Sequence, residues 1–304
     1  MATIDERIRS AYGECRAISR RHYENFPTAS FLVARDKRDA LAAIYAFARA
    51  ADDYADEPGR GSAEQRLAAI AAWRAKLNEC SVKPLDKISH PVFLALGHSI
   101  RKYNLSLENL DNLLQAFEQD VVKSRHACFD SLLAYCTCSA NPVGRLTLEL
   151  FNYRDLELFA LSDCICTALQ LTNFWQDAAV DFERDRVYLP LDDMARFGIQ
   201  LSDIKDFDGA NGGADARWRK LMAFEAERTA ALFEQGRALP EKVGRDLRRQ
   251  LRLTWLAGTS VLERLRSVGY DVFRRRPSLS VADFAKLYVK SWRAPAPLVL
   301  NAGS

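Results

Sequence analysis

The chain has 304 residues, enough to bury a large core, and 48% hydrophobic with 27% charged residues excludes a disordered polymer. With 43 basic against 40 acidic side chains the net charge is only +3, so nucleic acid is not an expected partner and the information lies in where charges cluster. Fourteen Gly and ten Pro fall below the usual ~7% and ~5%, which leaves few turns for short strands and favours helices.

From the N-terminus, Asp5 and Glu6 stand where an export signal needs basic and then apolar residues, so the expected location is the cytoplasm. Apolar residues then recur at three- and four-residue spacing through 4–23, 38–57, 63–80, 92–103, 107–122, 129–152, 156–183, 218–238 and 239–268, and each segment is predicted to be a helix. Breaks are short: Pro58 to Gly61, Ser81 to Pro91, and Phe207 to Ala214. The expectation is an all-α, single-domain antiparallel helical bundle over 1–304, with its core at about 20–295. Segments 132–150 and 158–175 are apolar on most faces and should lie deepest. The longest uncharged windows, 131–144 and 164–176, are shorter than the ~18 residues a membrane span needs.

Seven scattered cysteines, an odd number, suit reduced core thiols. Neither Cys136/Cys138 nor Cys164/Cys166 has a partner at zinc spacing, and His22, His90, His98 and His126 are isolated.

Two acidic clusters interrupt apolar helices. Asp52, Asp53, Asp56 and Glu57 pack four acids into six positions, with Asp52/Asp56 and Asp53/Glu57 one turn apart; Asn173, Asp177 and Asp181 share a second stripe. Solvated helix ends would explain either cluster alone. Flanking Ile44, Tyr45, Phe47, Leu169, Leu171, Phe174 and Trp175 imply partial burial, where unpaired carboxylates are costly and cations are called for. Hard oxygen donors without His or Cys suit Mg²⁺, which is usually bound together with phosphates. Arg49 lies one turn from Asp52, and Arg184, Arg186 and Tyr188 follow the second stripe as donors for such phosphates. Alternatively, Arg184 and Arg186 pair with Glu183 and Asp185 at the surface.

Tyr45 through Glu57, then Gln170-Leu171-Thr172-Asn173 with Asp177 and Asp181, and Arg186-Val187-Tyr188-Leu189-Pro190 together resemble the squalene/phytoene synthase family, from about Tyr23 into the basic C-terminal segment. Glu24 to Ser30, Tyr135 to Gly144 and Asn173-Phe174-Trp175-Gln176-Asp177 resemble one branch of it, the bacterial hydroxysqualene synthases of hopanoid biosynthesis. The wider family usually has Arg at position 176 and Glu at 180, where this chain has Gln176 and Val180. Phe26 matches a substrate-contacting aromatic, with Asn25 for the usual Ser; Asp120 and Arg125 fit the family pattern, and His126 replaces a frequent Tyr and is read as structural.

The resemblance implies an isoprenoid-synthase fold of the class I trans-isoprenyl type, with two acid stripes across a central cavity. Asp52, Asp53, Asp56, Asn173, Asp177 and Asp181 would hold Mg²⁺, while Phe26, Tyr45, Arg49, Arg125, Gln170, Asn173, Gln176, Arg186 and Tyr188 bind substrate. Asp52, Asp56, Asp177, Asp181 and Tyr135 are the catalytic expectations, and polar groups in 135–141 with Gln176 are expected to place a quenching water. Phe26, Tyr45, Phe47, Tyr135 and Trp175 are candidates for cation–π contact, or for core packing. The implied reaction ionises presqualene diphosphate and quenches the cation with water, without NADPH. Rival readings are synthesis of presqualene diphosphate, squalene or phytoene from two prenyl diphosphates, and a non-catalytic helical assembly protein. Expected partners are a prenyl diphosphate, other hopanoid-pathway enzymes and the inner membrane face. The membrane contact is suggested by Arg245, Arg248, Arg249, Arg252, Arg264, Arg266, Arg274, Arg275 and Arg276, which otherwise form a solvated helix face.

Overall fold

Ser62 shows how this sequence starts a helix. Its hydroxyl accepts from the Gln65 N–H while the Gln65 side chain accepts from the Ser62 N–H, a capping box that opens a helix where the apolar period begins. The computed structural model describes residues 3–21, 32–56, 61–208 and 213–298, and among them about three quarters of the fold is helical with no strand. The helices in chain order are α1 (Ile4–Arg21), α2 (Arg35–Asp56), α3 (Ala63–Val82), α4 (Pro91–Tyr103), α5 (Leu107–Val122), α6 (Phe129–Ser139) and α7 (Asn141–Leu150). They continue with α8 (Leu156–Glu183), α9 (Leu191–Arg196), α10 (Leu201–Asp208), α11 (Ala216–Gly236), α12 (Arg245–Ser267) and α13 (Val281–Lys290).

Two expected helices are divided. The segment 129–152 breaks because Pro142, in the first turn of α7, has no N–H and its ring would collide with the carbonyl four residues earlier, so α6 stops at Ser139. Likewise 239–268 opens as a 3₁₀ turn at Leu239–Lys242, and α12 begins only after Gly244 caps it. Helices α9, α10 and α13 had no counterpart in the periodicity.

The chain forms two compact units, one of residues 1–122 with 138–159, the other of 123–137 with 160–304. In the first, α2 touches α1, α3, α4, α5 and α7. Its buried face explains this: Ala40, Ala43, Ala46, Ala51 and Ala55 are fully buried, and small side chains let five neighbours approach. Phe47 stacks on Trp73 and meets Phe93 edge-on, and Trp73 Nε1 donates to the Phe47 carbonyl at 3.2 Å. Phe47 is therefore a core residue of this unit rather than an aromatic presented to substrate.

In the second unit α8 is clasped at two glycines. A Cβ on Gly236 of α11 would collide with Ile165 Cγ1 and come within 2.8 Å of the Leu161 carbonyl, and one on Gly258 of α12 would lie 2.6 Å from both Leu169 and Phe233. Trp175 is fully buried here and donates from Nε1 to Thr229 Oγ1 at 2.8 Å, which makes it a strut between α8 and α11. An ionic cluster lies alongside: Arg228 Nη2 bonds Glu225 at 2.6 Å and Asp193 at 2.5 Å, its guanidinium 3.8 Å from the centre of the Phe129 ring. Glu225 is fully buried, and burial pushes its carboxyl up to about 7.

All seven cysteines are free thiols, Cys15, Cys80 and Cys136 in the core and Cys128, Cys138, Cys164 and Cys166 half-buried. Among the described residues no helix is long and apolar enough to cross a membrane.

Candidate active site

The first acid stripe is placed by the buried alanine face of α2, which turns Arg49, Asp52 and Asp53 to the opposite side. Arg49 Nη1 lies 3.1 Å from Asp52 Oδ2 and Nε lies 2.8 Å from Asp53 Oδ1, with all three side chains about a quarter exposed. Asp53 Oδ1 is buried beside this charge without an aligned hydrogen-bond donor, the kind of carboxylate oxygen a hard cation satisfies. Tyr45 is half-buried one turn earlier. Asp56 ends the helix; its side chain, Glu57, Asn25 and Phe26 lie outside the described residues.

The second stripe runs along α8 in the other unit. Gln170, Asn173, Asp177 and Asp181 are half-buried at helical spacing. Asp177 is held bidentately by Arg276, with Nε on Oδ1 and Nη2 3.1 Å from Oδ2. The adjacent Gln176, 4% exposed, donates its amide to the Pro277 carbonyl. Two successive positions of α8 thus grip two successive residues near the C-terminus. Gln176, expected to orient water, gives one amide N–H to that grip. Arg276 was legible only as one member of a basic run; its bond to Asp177 spans 99 residues of sequence.

Beside the stripe is a recess lined by Phe174, Asp181, Arg186, Tyr188, Leu189 and Trp218. One acid, one guanidinium and one phenol thus share an otherwise apolar wall. Phe174 and Tyr188 stack at 3.7 Å and 9°, and Tyr135, 5% exposed, lies 6.2 and 6.0 Å from them. Arg186 and Tyr188 owe their place to a strap in which Val187 N–H donates to the Ser124 carbonyl at 3.0 Å and Leu191 N–H to the His126 carbonyl at 3.0 Å. Arg125 locks it, bonding the Asp185 carbonyl and, at 2.5 Å, its carboxylate. Asp185 therefore pairs with Arg125, and the structure gives Arg125 the task of orienting the strap. Asp120 lies on α5 in the first unit.

His126 closes this aromatic group, 5.5 Å from the Tyr135 ring and 5.9 Å from Tyr188. It is 2% exposed, and burial, reinforced by Lys123, lowers its pKa to about 4. A neutral, packed imidazole agrees with a structural role. The native pKa is below the unfolded one, so this stabilisation is complete above pH 6.5 and is lost as pH falls towards 4. Relative to His126→Phe, the wild-type chain should lose up to ~3 kcal/mol between pH 6.5 and 4, checked by urea denaturation of both across that range. Parallel curves would place His126 in an ordinary solvated setting.

Among the described residues no three His, Cys, Asp or Glu side chains converge on one point. Each stripe taken by itself offers the hard oxygen donors a divalent cation prefers, Asp52 and Asp53 on one and Asn173, Asp177 and Asp181 on the other, and each has drawn a guanidinium onto its carboxylates.

Comparison with known proteins places these features in a family. Residues 19–283 match the squalene/phytoene synthase family. The 15-cis-phytoene synthase of Synechococcus elongatus is 27% identical over 299 residues, 94% of this chain and 90% of that protein. The hydroxysqualene synthase of Zymomonas mobilis is 36% identical over 188 residues, 60% of each chain. The crystal structure of squalene synthase HpnC from Alicyclobacillus acidocaldarius superposes with a TM-score of 0.79 at 37% identity, covering 87% of this chain and 96% of that one. The helices, the oxygen-rich stripes and the match over 19–283 agree: the chain belongs to the squalene/phytoene synthase family, as an enzyme of isoprenoid biosynthesis.

Proposed function

We propose that this enzyme is a hydroxysqualene synthase acting on presqualene diphosphate, with its two units working as one catalytic domain. The observation that carries the chemistry is the second stripe: Asp177 gripping a guanidinium, beside a recess where Asp181, Arg186 and Tyr188 face aromatic carbon. Such a wall can hold a diphosphate at one end and an apolar, cationic fragment at the other.

A divalent cation such as Mg²⁺, held by Asp52, Asp53, Asp56, Asn173, Asp177 and Asp181, would supply Lewis-acid neutralisation of the diphosphate. The chain's own residues do the rest. Arg49, Arg186 and the Tyr188 hydroxyl donate to diphosphate oxygens, where negative charge grows as the ester C–O bond breaks and its electron pair departs with the leaving group. Tyr135, Phe174 and Tyr188 offer ring faces to the carbocation and keep bulk water away from it. One water oxygen then bonds to the rearranged cation and releases a proton, so that hydroxysqualene, diphosphate and H⁺ balance substrate and water. No reductant is consumed.

The hydroxysqualene branch is supported by 36% identity to the Zymomonas hydroxysqualene synthase, and by the uncharged Gln176 where the wider family usually has Arg. A second reading, phytoene synthase, is favoured by the cyanobacterial relative that matches 94% of the chain. Mass spectrometry of products decides. Purified enzyme with Mg²⁺ and presqualene diphosphate should yield the alcohol without NADPH; squalene appearing only with NADPH, or phytoene from geranylgeranyl diphosphate with no reaction on presqualene diphosphate, would overturn the assignment.

A further inference from the structure

Part of the basic C-terminal third is tied down within the fold, while Arg245, Arg266, Arg274 and Arg275 stay exposed. Arg252 pairs with Glu241 at 2.7 Å, Arg264 with Asp283 at 2.5 Å and Arg276 with Asp177, and Arg248 bonds the Val243 carbonyl at 2.8 Å. These guanidiniums hold the fold together. The outer face of α13 is exposed too, and its pattern is specific. Val281, Ala285, Val289 and, in the turn beyond, Trp292 follow one another at spacings of four, four and three and are all exposed. Val281 is 88% exposed, Val289 67% and Trp292 66%, while Leu287 on the inner side is buried. Immediately beside this apolar stripe run Lys286, Lys290 and Arg293, also exposed at spacings of four and three. Asp283, the one acid on α13, is turned to Arg264.

Trp292 is held in place although most of its surface faces water. The Arg249 guanidinium is inserted between Tyr288 and Trp292, 3.9 and 3.8 Å from the ring centres, and Arg252 Nη1 donates to the Trp292 carbonyl at 3.0 Å. One ring face is thus fixed against an arginine of α12. Ordering an exposed indole costs entropy before any partner arrives, so a partner that buries it meets a prepared anchor.

We propose that this face of α13 docks on an anionic lipid bilayer, with Val281, Val289 and Trp292 entering the headgroup boundary and Lys286, Lys290 and Arg293 lying over the lipid phosphates. An apolar stripe edged by one sign of charge, with Trp at its end, is the pattern of an interfacial helix. A second copy of this chain is disfavoured because a twofold contact would bring the three cations against themselves. A nucleic acid would leave the valines and the indole unused. The contact is peripheral and independent of which diphosphate the enzyme accepts.

The protein carries its own probe. Trp73, Trp175, Trp218 and Trp255 are 4% exposed or less, so quenching by agents at the surface or in the bilayer reports Trp292. The full-length enzyme should float with vesicles of phosphatidylcholine containing about a third phosphatidylserine, bind less as salt rises, and lose Trp292 emission to brominated acyl chains. Lys286→Gln/Lys290→Gln/Arg293→Gln should weaken partitioning about a hundredfold, near fivefold per charge, and Trp292→Ser should remove the lipid quenching, with turnover of detergent-dispersed substrate unchanged in both. Equal binding to vesicles without phosphatidylserine, unaltered binding by both variants, or shielding of Trp292 through lipid-free dimerisation would each overturn the proposal.

Discussion

Asp177→Asn should lower diphosphate release by about 10³-fold while leaving the helical content intact. The substitution keeps the shape of the side chain and removes its charge. In the protein both carboxylate oxygens of Asp177 are engaged by Arg276, so this position already holds a doubly presented cation. The loss should fall on kcat, since the charge is needed as the leaving group develops its own, and diphosphate release with Mg²⁺ measures it directly. Activity within tenfold of wild type would remove Asp177 from the site and, with it, the main support for the proposed reaction. Asp53→Asn tests the first stripe in the same assay.

The second large effect is structural. Gly236→Ala should destabilise the protein by about 2–3 kcal/mol, seen as a lower midpoint of thermal or urea unfolding. The added methyl group would sit 2.8 Å from the Leu161 carbonyl, which belongs to the backbone of α8 and cannot swing aside. Either α11 or α8 must shift, and α8 carries Asn173, Asp177 and Asp181. Reduced activity should therefore accompany the lost stability, where a surface Gly→Ala change in a helix would be neutral or favourable. Unchanged stability would mean that the two helices slide apart freely at this contact.

Most helices were legible because their cause is local. An apolar period and a capping residue are properties of a dozen neighbouring positions, and α3, α4, α5 and α8 begin and end close to where those signals lie. The break at Ser139 was also written locally, in Pro142, but a long apolar period on both sides masked it. Helix α13 carried a readable start, the Ser280–Asp283 capping box, in a segment too short for a convincing period. The site divides in the same way. Asp52, Asp53, Asp177 and Asp181 announce themselves as acids inside apolar helices, a local contradiction that invites a functional explanation. Arg276 does not, because nothing in Arg274-Arg275-Arg276 says which arginine returns to α8. Nor could the roles of Phe47, Trp175 and Arg125 be read: aromatic and guanidinium groups serve packing and chemistry equally well, and only their partners distinguish the two.

The Asp193–Arg228–Glu225 cluster ties folding to proton uptake. Two acids share one guanidinium in a buried place, so full ionisation would leave a net negative charge there, and holding a proton on Glu225 removes it. Its raised pKa means that folding takes up a proton between about pH 4.5 and 7; stability from this group is complete below 4.5 and is lost as pH rises through 7. His126 acts in the opposite sense, releasing a proton on folding between about pH 4 and 6.5. Over the shared range the two exchanges nearly cancel. At these two groups folding is then close to proton-neutral in mildly acidic solution, and their contribution to the calorimetric heat of unfolding should not follow the ionisation enthalpy of the buffer.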